Sequence, residues 1–113
     1  MRRSHKHLFD MLRAGDELLE ITAEKTLDDY LGTRVLQLAV ERCLITLGEA
    51  ATVIIREDPE MVLTFPELPE IKGLRNRVVH DYDDIYEGVI WKAVTEYLPG
   101  FMERLRPYVE SAL

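Results

Sequence analysis

Arg75-Asn76-Arg77-Val78-Val79-His80-Asp81-Tyr82 gathers four kinds of group that can act on a phosphate. A guanidinium is always charged and presents a planar fork of donors; an imidazole titrates near neutral pH and moves protons. A carboxamide both donates and accepts, and a phenol can carry a modification. The chain has only 3 histidines and a formal net charge of −7, so this concentration reads as a site rather than as ordinary surface. Asn76 and His80 are four apart and stack on one helical face, whereas Arg75 and His80 are five apart, about 140° around an ideal helix. Arg75 therefore does not sit above His80. It reaches a common cleft through its long side chain, or where the helix loosens before Asp81 to Asp84. The bland alternative is that the arginine and asparagine serve a helix turn, the histidine meets a neighbouring carboxylate, and Tyr82 is a packed aromatic.

Apolar periodicity supplies the elements that must position these groups. Leu8, Met11, Leu12, Leu18, Leu19 and Thr22, with Gly15 on the same stripe, predict a long amphipathic helix ending near Lys25. Thr26-Leu27-Asp28-Asp29 reads as the start of a short helix with acid in its first turn, stopped at Gly32. Thr33 then caps a central helix running to about Glu57. Its core face is Leu36, Val40, Cys43, Leu47, Ala50, Ala51 and Ile54, which fall within about 120° of one another. Leu38 and Ile45 stand one heptad apart on the polar side among Gln37, Glu41, Arg42 and Glu49. In a chain this small such a second stripe suggests a partner surface, and Gly48, Ala50 and Ala51 leave room for another helix to come close.

Asp58-Pro59, Pro66 and Pro69 break the periodicity, so Glu57 to Leu68 is expected as a loop tacked down by Leu63 and Phe65. Pro69 and Glu70 suit the first turn of the helix that carries the signature. Asp84 with Glu87 reads as a capping pair opening a fifth helix, with Tyr86, Val89, Ile90, Ala93, Val94 and Tyr97 as its buried stripe. Pro99-Gly100 is expected to interrupt it before Phe101, Met102, Leu105, Tyr108 and Val109 resume helical spacing. No segment alternates with period two, and no repeat is visible.

With 113 residues and 47% hydrophobic content the chain can bury one core, so a single domain over 1–113 is expected. The lone Cys43 lies in an apolar periodic run; it excludes an internal disulfide framework and suits a reduced, cytoplasmic setting. No apolar run approaches the roughly 18 residues of a membrane span. Net acidity argues against coating nucleic acid through a general field, so any RNA contact must be local and DNA is not expected as a partner. Arg2, Arg3, His5, Lys6 and His7 form a basic amino-terminal cluster to which no catalytic role is assigned. Asp81, Asp83 and Asp84 lack the spacing and closing glutamate of a calcium loop. Phosphate-binding glycine loops, nucleophile elbows and Cys/His metal spacings are absent, and no metal or cofactor is expected.

The pattern R-N-x-x-x-H-x-Y, set after a proline-broken loop and followed by an acidic turn and an aromatic-rich amphipathic helix, resembles the signature of the HepT-like branch of the HEPN superfamily. The resemblance spans roughly Thr33 to Leu113; the signature is its specific part, and the rest is a shared helical pattern. It implies an all-α, up-and-down bundle of five to six helices that forms a homodimer with the motif helices lining an interface cleft. It also implies a toxin ribonuclease paired with a minimal nucleotidyltransferase antitoxin. Arg75 and His80 match the family's R-x-x-x-x-H spacing and take the catalytic roles, with Asn76 and Arg77 supporting them. Tyr82 becomes the tyrosine that the partner adenylylates. Gly48-Glu49-Ala50-Ala51 resembles the family's central-helix motif, with Glu49 as a further candidate. Metal-free RNA cleavage needs a base for the ribose 2′-hydroxyl and a cation for the phosphorane, roles that suit His80 and Arg75. One histidine cannot be acid and base at once, so a dimer bringing two such residues to one cleft completes the chemistry. Two other readings share the fold: a non-catalytic nucleotide- or substrate-binding subunit of a nucleotidyltransferase complex, and a structural helical adaptor.

Overall fold

The computed structural model describes residues 3–80 and 87–112, and among these there is no strand. Helix α1 (Arg3–Thr22) buries Leu8, Met11, Ala14 and Leu18. It stops before Lys25. The Thr22 hydroxyl turns back on the Leu18 carbonyl at 2.9 Å, and Glu24 takes a left-handed conformation at φ 62°, which terminates the helix. Helix α2 (Leu27–Gly32) opens on the reciprocal cap that its sequence announces. The Asp29 amide donates to the Thr26 hydroxyl at 3.1 Å, and the Thr26 amide donates to the Asp29 carboxylate at 2.9 Å.

Helix α3 (Arg34–Glu57) buries the whole expected face, together with Leu44 and Gly48. Thr33 stands at its N-cap, yet the threonine side chain makes no capping bond. Gln37 does related work from inside the helix: its side-chain amide donates to the carbonyls of Tyr30 and Leu31 at 2.9 and 3.2 Å, satisfying the end of α2. On the polar side the expected second stripe is split. Leu38 is half exposed, while Ile45 packs partly against the chain's own core.

The stretch expected to be a loop contains a single turn of helix, α4 (Met61–Thr64). That turn overturns one expectation, because residues four apart share a face and residues two apart oppose each other. Met61 and Phe65 point inward together, and Leu63 is 86% exposed. Phe65 meets Phe101 and Tyr108 edge-on at 5.7 and 5.3 Å, and Arg104 covers its other side while pairing with Glu67. Helix α5 (Leu68–His80) carries Pro69 at its start, as expected.

Helix α6 (Glu87–Lys92) runs through a π-turn (Ala93–Tyr97) into α7 (Leu98–Ser111). The interruption expected at Pro99-Gly100 takes this form one turn earlier. The Leu98 amide donates to the Ala93 carbonyl, five residues back, and the widened turn accommodates a proline ring that would clash in a regular α-turn. Ile90, Trp91 and Val94 are buried there. Val89 and Tyr97, expected in the stripe, are exposed; Tyr86 lies outside the described residues.

The whole is an all-α bundle with α3 as its axis, packed between α1 on one side and α5 on the other, and closed by α7 against α1. No helix among the described residues is long and apolar enough to cross a membrane.

Candidate functional site

Gly48 of α3 makes the closest approach between helices at the signature. A Cβ there would overlap the Cβ of Arg75, stand 2.7 Å from its Cγ and 3.2 Å from the Ile71 carbonyl oxygen. Only hydrogen fits. The helix that comes close at Gly48 is thus the chain's own α5. The first side-chain atoms of Arg75 are consequently seated on α3 with little freedom, and the guanidinium is carried outward along that seam.

From this seat the guanidinium engages two neighbours. Its Nη1 donates to Asn76 Oδ1 at 3.1 Å, and its Nη2 lies 3.9 Å from Glu49 Oε1. Its Nε is buried without a hydrogen-bond partner among the described residues. The Arg75 side chain is 26% exposed and that of Glu49 58%, so the pair stands at a solvent-reachable rim and contributes little to stability. Arg77 is half-buried on another side of α5 and makes no ion pair with a described residue. His80 is the exposed last residue of α5 and hydrogen-bonds no described residue.

Arg75 and Asn76 are therefore brought together, and Glu49 with them. His80 stands about one turn along the same helix on the Asn76 face, without direct engagement of Arg75. Tyr82, Asp81, Asp83 and Asp84 lie outside the described residues. No group of three or more His, Cys, Asp or Glu among the described residues is placed to hold a metal ion.

On the opposite side of α3 a cleft of about 500 Å³ opens between that helix and α1. Ala14, Cys43 and Ala50 form its floor, and Asp10, Arg13, Glu17, Arg42, Thr46 and Glu49 its walls. Burial, helped by the Glu17 carboxylate and opposed by Arg42, raises the Cys43 thiol above its ordinary value, so it stays protonated and unreactive near neutral pH. Glu49 belongs to both places, the rim at Arg75 and the wall of this cleft. In the sequence it is marked only by its motif, because a glutamate on a polar stripe looks like any solvated charge.

The ribonuclease HepT-like family model matches residues 11–108. The chain is 35% identical over 112 residues to a probable ribonuclease HepT of Thermococcus cleftensis, covering 94% of this chain and 99% of that protein. It is 32% identical to a putative RNase of Methanocaldococcus jannaschii, with 81% and 84% covered. A putative RNase of Caldanaerobacter subterraneus is 24% identical, with 98% of each covered. No solved structure gives a significant match.

Proposed function

The chain belongs to the HepT-like ribonuclease family, and from that premise we propose that it is a metal-independent endoribonuclease, the toxin of a pair whose antitoxin is a minimal nucleotidyltransferase. The single observation that supports the chemistry is the seat of Arg75 on Gly48, which anchors the base of a side chain whose guanidinium lies at a solvent-reachable rim beside Asn76. A cation fixed in advance stabilises charge that develops in the transition state without having to reorganise.

In this reading an RNA phosphate binds the guanidinium of Arg75, with Asn76 and Arg77 helping to orient it. The imidazole of His80 takes the proton of the ribose 2′-hydroxyl, whose oxygen attacks phosphorus. The 5′-oxygen leaves and is protonated, giving a 2′,3′-cyclic phosphate and a free 5′-hydroxyl. The proton for the leaving group comes from the corresponding imidazole of a second copy, which is the reason for proposing a homodimer. The exposed Leu38 supports a dimer surface on α3. Ile45 serves it less, being partly committed to the chain's own core. Control by the antitoxin would use Tyr82: AMP attached there adds negative phosphate close in sequence to Arg75 and Arg77 and competes with RNA. The protein would act in the cytoplasm as a single domain.

The test is incubation of purified protein with total RNA in the presence of chelator. Wild type should generate cyclic-phosphate ends, and His80→Ala and Arg75→Ala should each lose about 10²- to 10⁴-fold in rate while remaining helical. A wild type that binds nucleotide but never cuts would leave the non-catalytic subunit as the better reading. Intact-mass measurement of the co-expressed pair checks Tyr82: the wild-type chain should gain AMP mass, and Tyr82→Phe should not.

A further inference from the structure

Glu49 is a negative group beside the guanidinium to which the ribonuclease reading assigns the RNA phosphate. Its carboxylate lies 3.9 Å from Arg75 Nη2, while the neighbouring Nη1 is engaged by Asn76. An incoming phosphodiester meets a guanidinium whose accessible edge already has an anion beside it. A phosphate approaching that edge is repelled by the carboxylate until the carboxylate moves away.

The other side of α3 offers it somewhere to go. Glu49 also walls the cleft between α1 and α3, together with Arg13 and Arg42. Arg34, Arg56, Arg75, Arg104 and Arg106 all have carboxylate partners, whereas Arg13 and Arg42 have none among the described residues. The two helices run antiparallel in a register fixed by the hydrogen bond from Ser4 Oγ to Asp58 Oδ2, at 2.9 Å. Counting inward equally along both helices from that bond brings Arg13 level with Glu49. The side chain of Glu49 is more than half exposed, so moving it costs little burial. Asp10 and Glu17, one turn to either side of Arg13, keep the cleft from drawing a whole RNA backbone, since with Glu49 the lining carries more carboxylates than guanidiniums.

We propose that Glu49 is a carboxylate latch: it rests against Arg75 in the free protein and swings across α3 to Arg13 when an RNA phosphate takes its place. This rests on the ribonuclease reading and adds a positioning residue to it. The latch lowers affinity for phosphate until the cleft accepts the displaced carboxylate, so its effect resides in substrate binding and not in the bond-breaking step.

The experiment is a double-mutant cycle on the dimer as purified, with Glu49→Gln, Arg13→Ala and both together. KM and kcat are measured on a short RNA, and equilibrium binding on the same sequence with a 2′-deoxy substitution at the cut position. A rim ion pair is worth about 0–1 kcal/mol, so Glu49→Gln should tighten binding and lower KM by about two- to fivefold. Arg13→Ala should raise KM by a similar factor, and that effect should vanish in the Glu49→Gln background. Glu49→Ala guards against the amide retaining part of the contact. The proposal is overturned if Glu49→Gln raises KM, if its effect falls mainly on kcat, or if the two substitutions add independently. It is also overturned if Arg13→Ala turns the dimer into a monomer in sedimentation, because the cleft would then be covered by a second copy. A wild type that neither binds nor cuts RNA removes the ribonuclease reading itself, an outcome distinct from all of these.

Discussion

The two flanks of α3 are built from the same kind of residue and do opposite things. Toward α5, Gly48 brings backbone onto the Arg75 side chain with no space left between them. Toward α1, Ala14, Cys43 and Ala50 leave an open cleft of about 500 Å³. Small side chains remove bulk in both places; what differs is whether the partner helix closes the gap. On the α5 side it does, and the seam becomes a tight mount for the base of the Arg75 side chain. On the α1 side charged residues border the rim, and the space remains open. The contrast teaches that a small-residue patch signals missing volume and not the use made of it.

The largest stability effect expected tests the tight flank. Gly48→Ala adds a methyl that must push α5 away, because its neighbours are the first carbons of Arg75 and the Ile71 carbonyl and neither can rotate aside. Overpacking of this kind costs about 1–3 kcal/mol, against a helix-propensity gain of at most about 1. Thermal unfolding should therefore occur several degrees lower, at about 4–8 °C per kcal/mol lost in a domain of this size. RNA cleavage should fall further than the residual stability explains, since a misplacement of about 1 Å can cost 10²-fold in rate. A variant as stable and active as wild type would show that the seam is looser than its geometry states.

Much of this was legible in the chain itself. The reciprocal cap at Thr26 and Asp29, the core face of α3 and the start of α5 at Pro69 are local signals, and local signals survive folding. What escaped depended on tertiary pairing. Leu63 looked like an anchor until one turn of helix placed it opposite Met61 and Phe65. Gly48 announced a close helix without saying whose. Arg13 carried no signal, because only the antiparallel register set by Ser4 and Asp58 brings it level with Glu49. Within the signature, the pairing of Arg75 with Asn76 followed from adjacency, while the approach of Glu49 required α3 and α5 to be in contact.

A second glycine sharpens the comparison with a smaller effect. Gly15 of α1 also lies where a Cβ would overlap a neighbour, but that neighbour is the sulfur and terminal methyl of Met102. An unbranched thioether end can rotate away, whereas the base of an arginine on a packed helix cannot. Gly15→Ala should therefore leave thermal stability within about 1 kcal/mol of wild type, the propensity gain offsetting the repacking. If Gly15→Ala and Gly48→Ala proved equally damaging, steric overlap alone would govern both sites and the mount at Arg75 would lose its special status.

The smallest effect belongs to a third seam, where α2 meets α6 and neither rigidity nor open space is at issue. Tyr30 is fully buried and stacked on Trp91 with ring centres 5.1 Å apart, yet its hydroxyl has no hydrogen-bond partner among the described residues. Burial, reinforced by the carboxylates of Glu41 and Glu87 and opposed by Arg34, pushes its pKa from 10.0 up to about 12. The sign follows from proton linkage: the folded state holds this proton more tightly than the unfolded one. Its contribution is therefore fully present below about pH 10 and is lost as pH rises from there toward 12. Tyr30→Phe keeps the stacked ring and removes both the unpaired hydroxyl and the titration. At neutral pH the variant should match wild type or exceed it by about 1 kcal/mol, because an unsatisfied buried hydroxyl is costly and its deletion leaves no partner stranded. Between pH 10 and 12, denaturant unfolding should show wild type losing stability faster than the variant. Parallel curves across that range would mean that the hydroxyl finds a partner in solution and that the seam is better satisfied than its geometry indicates.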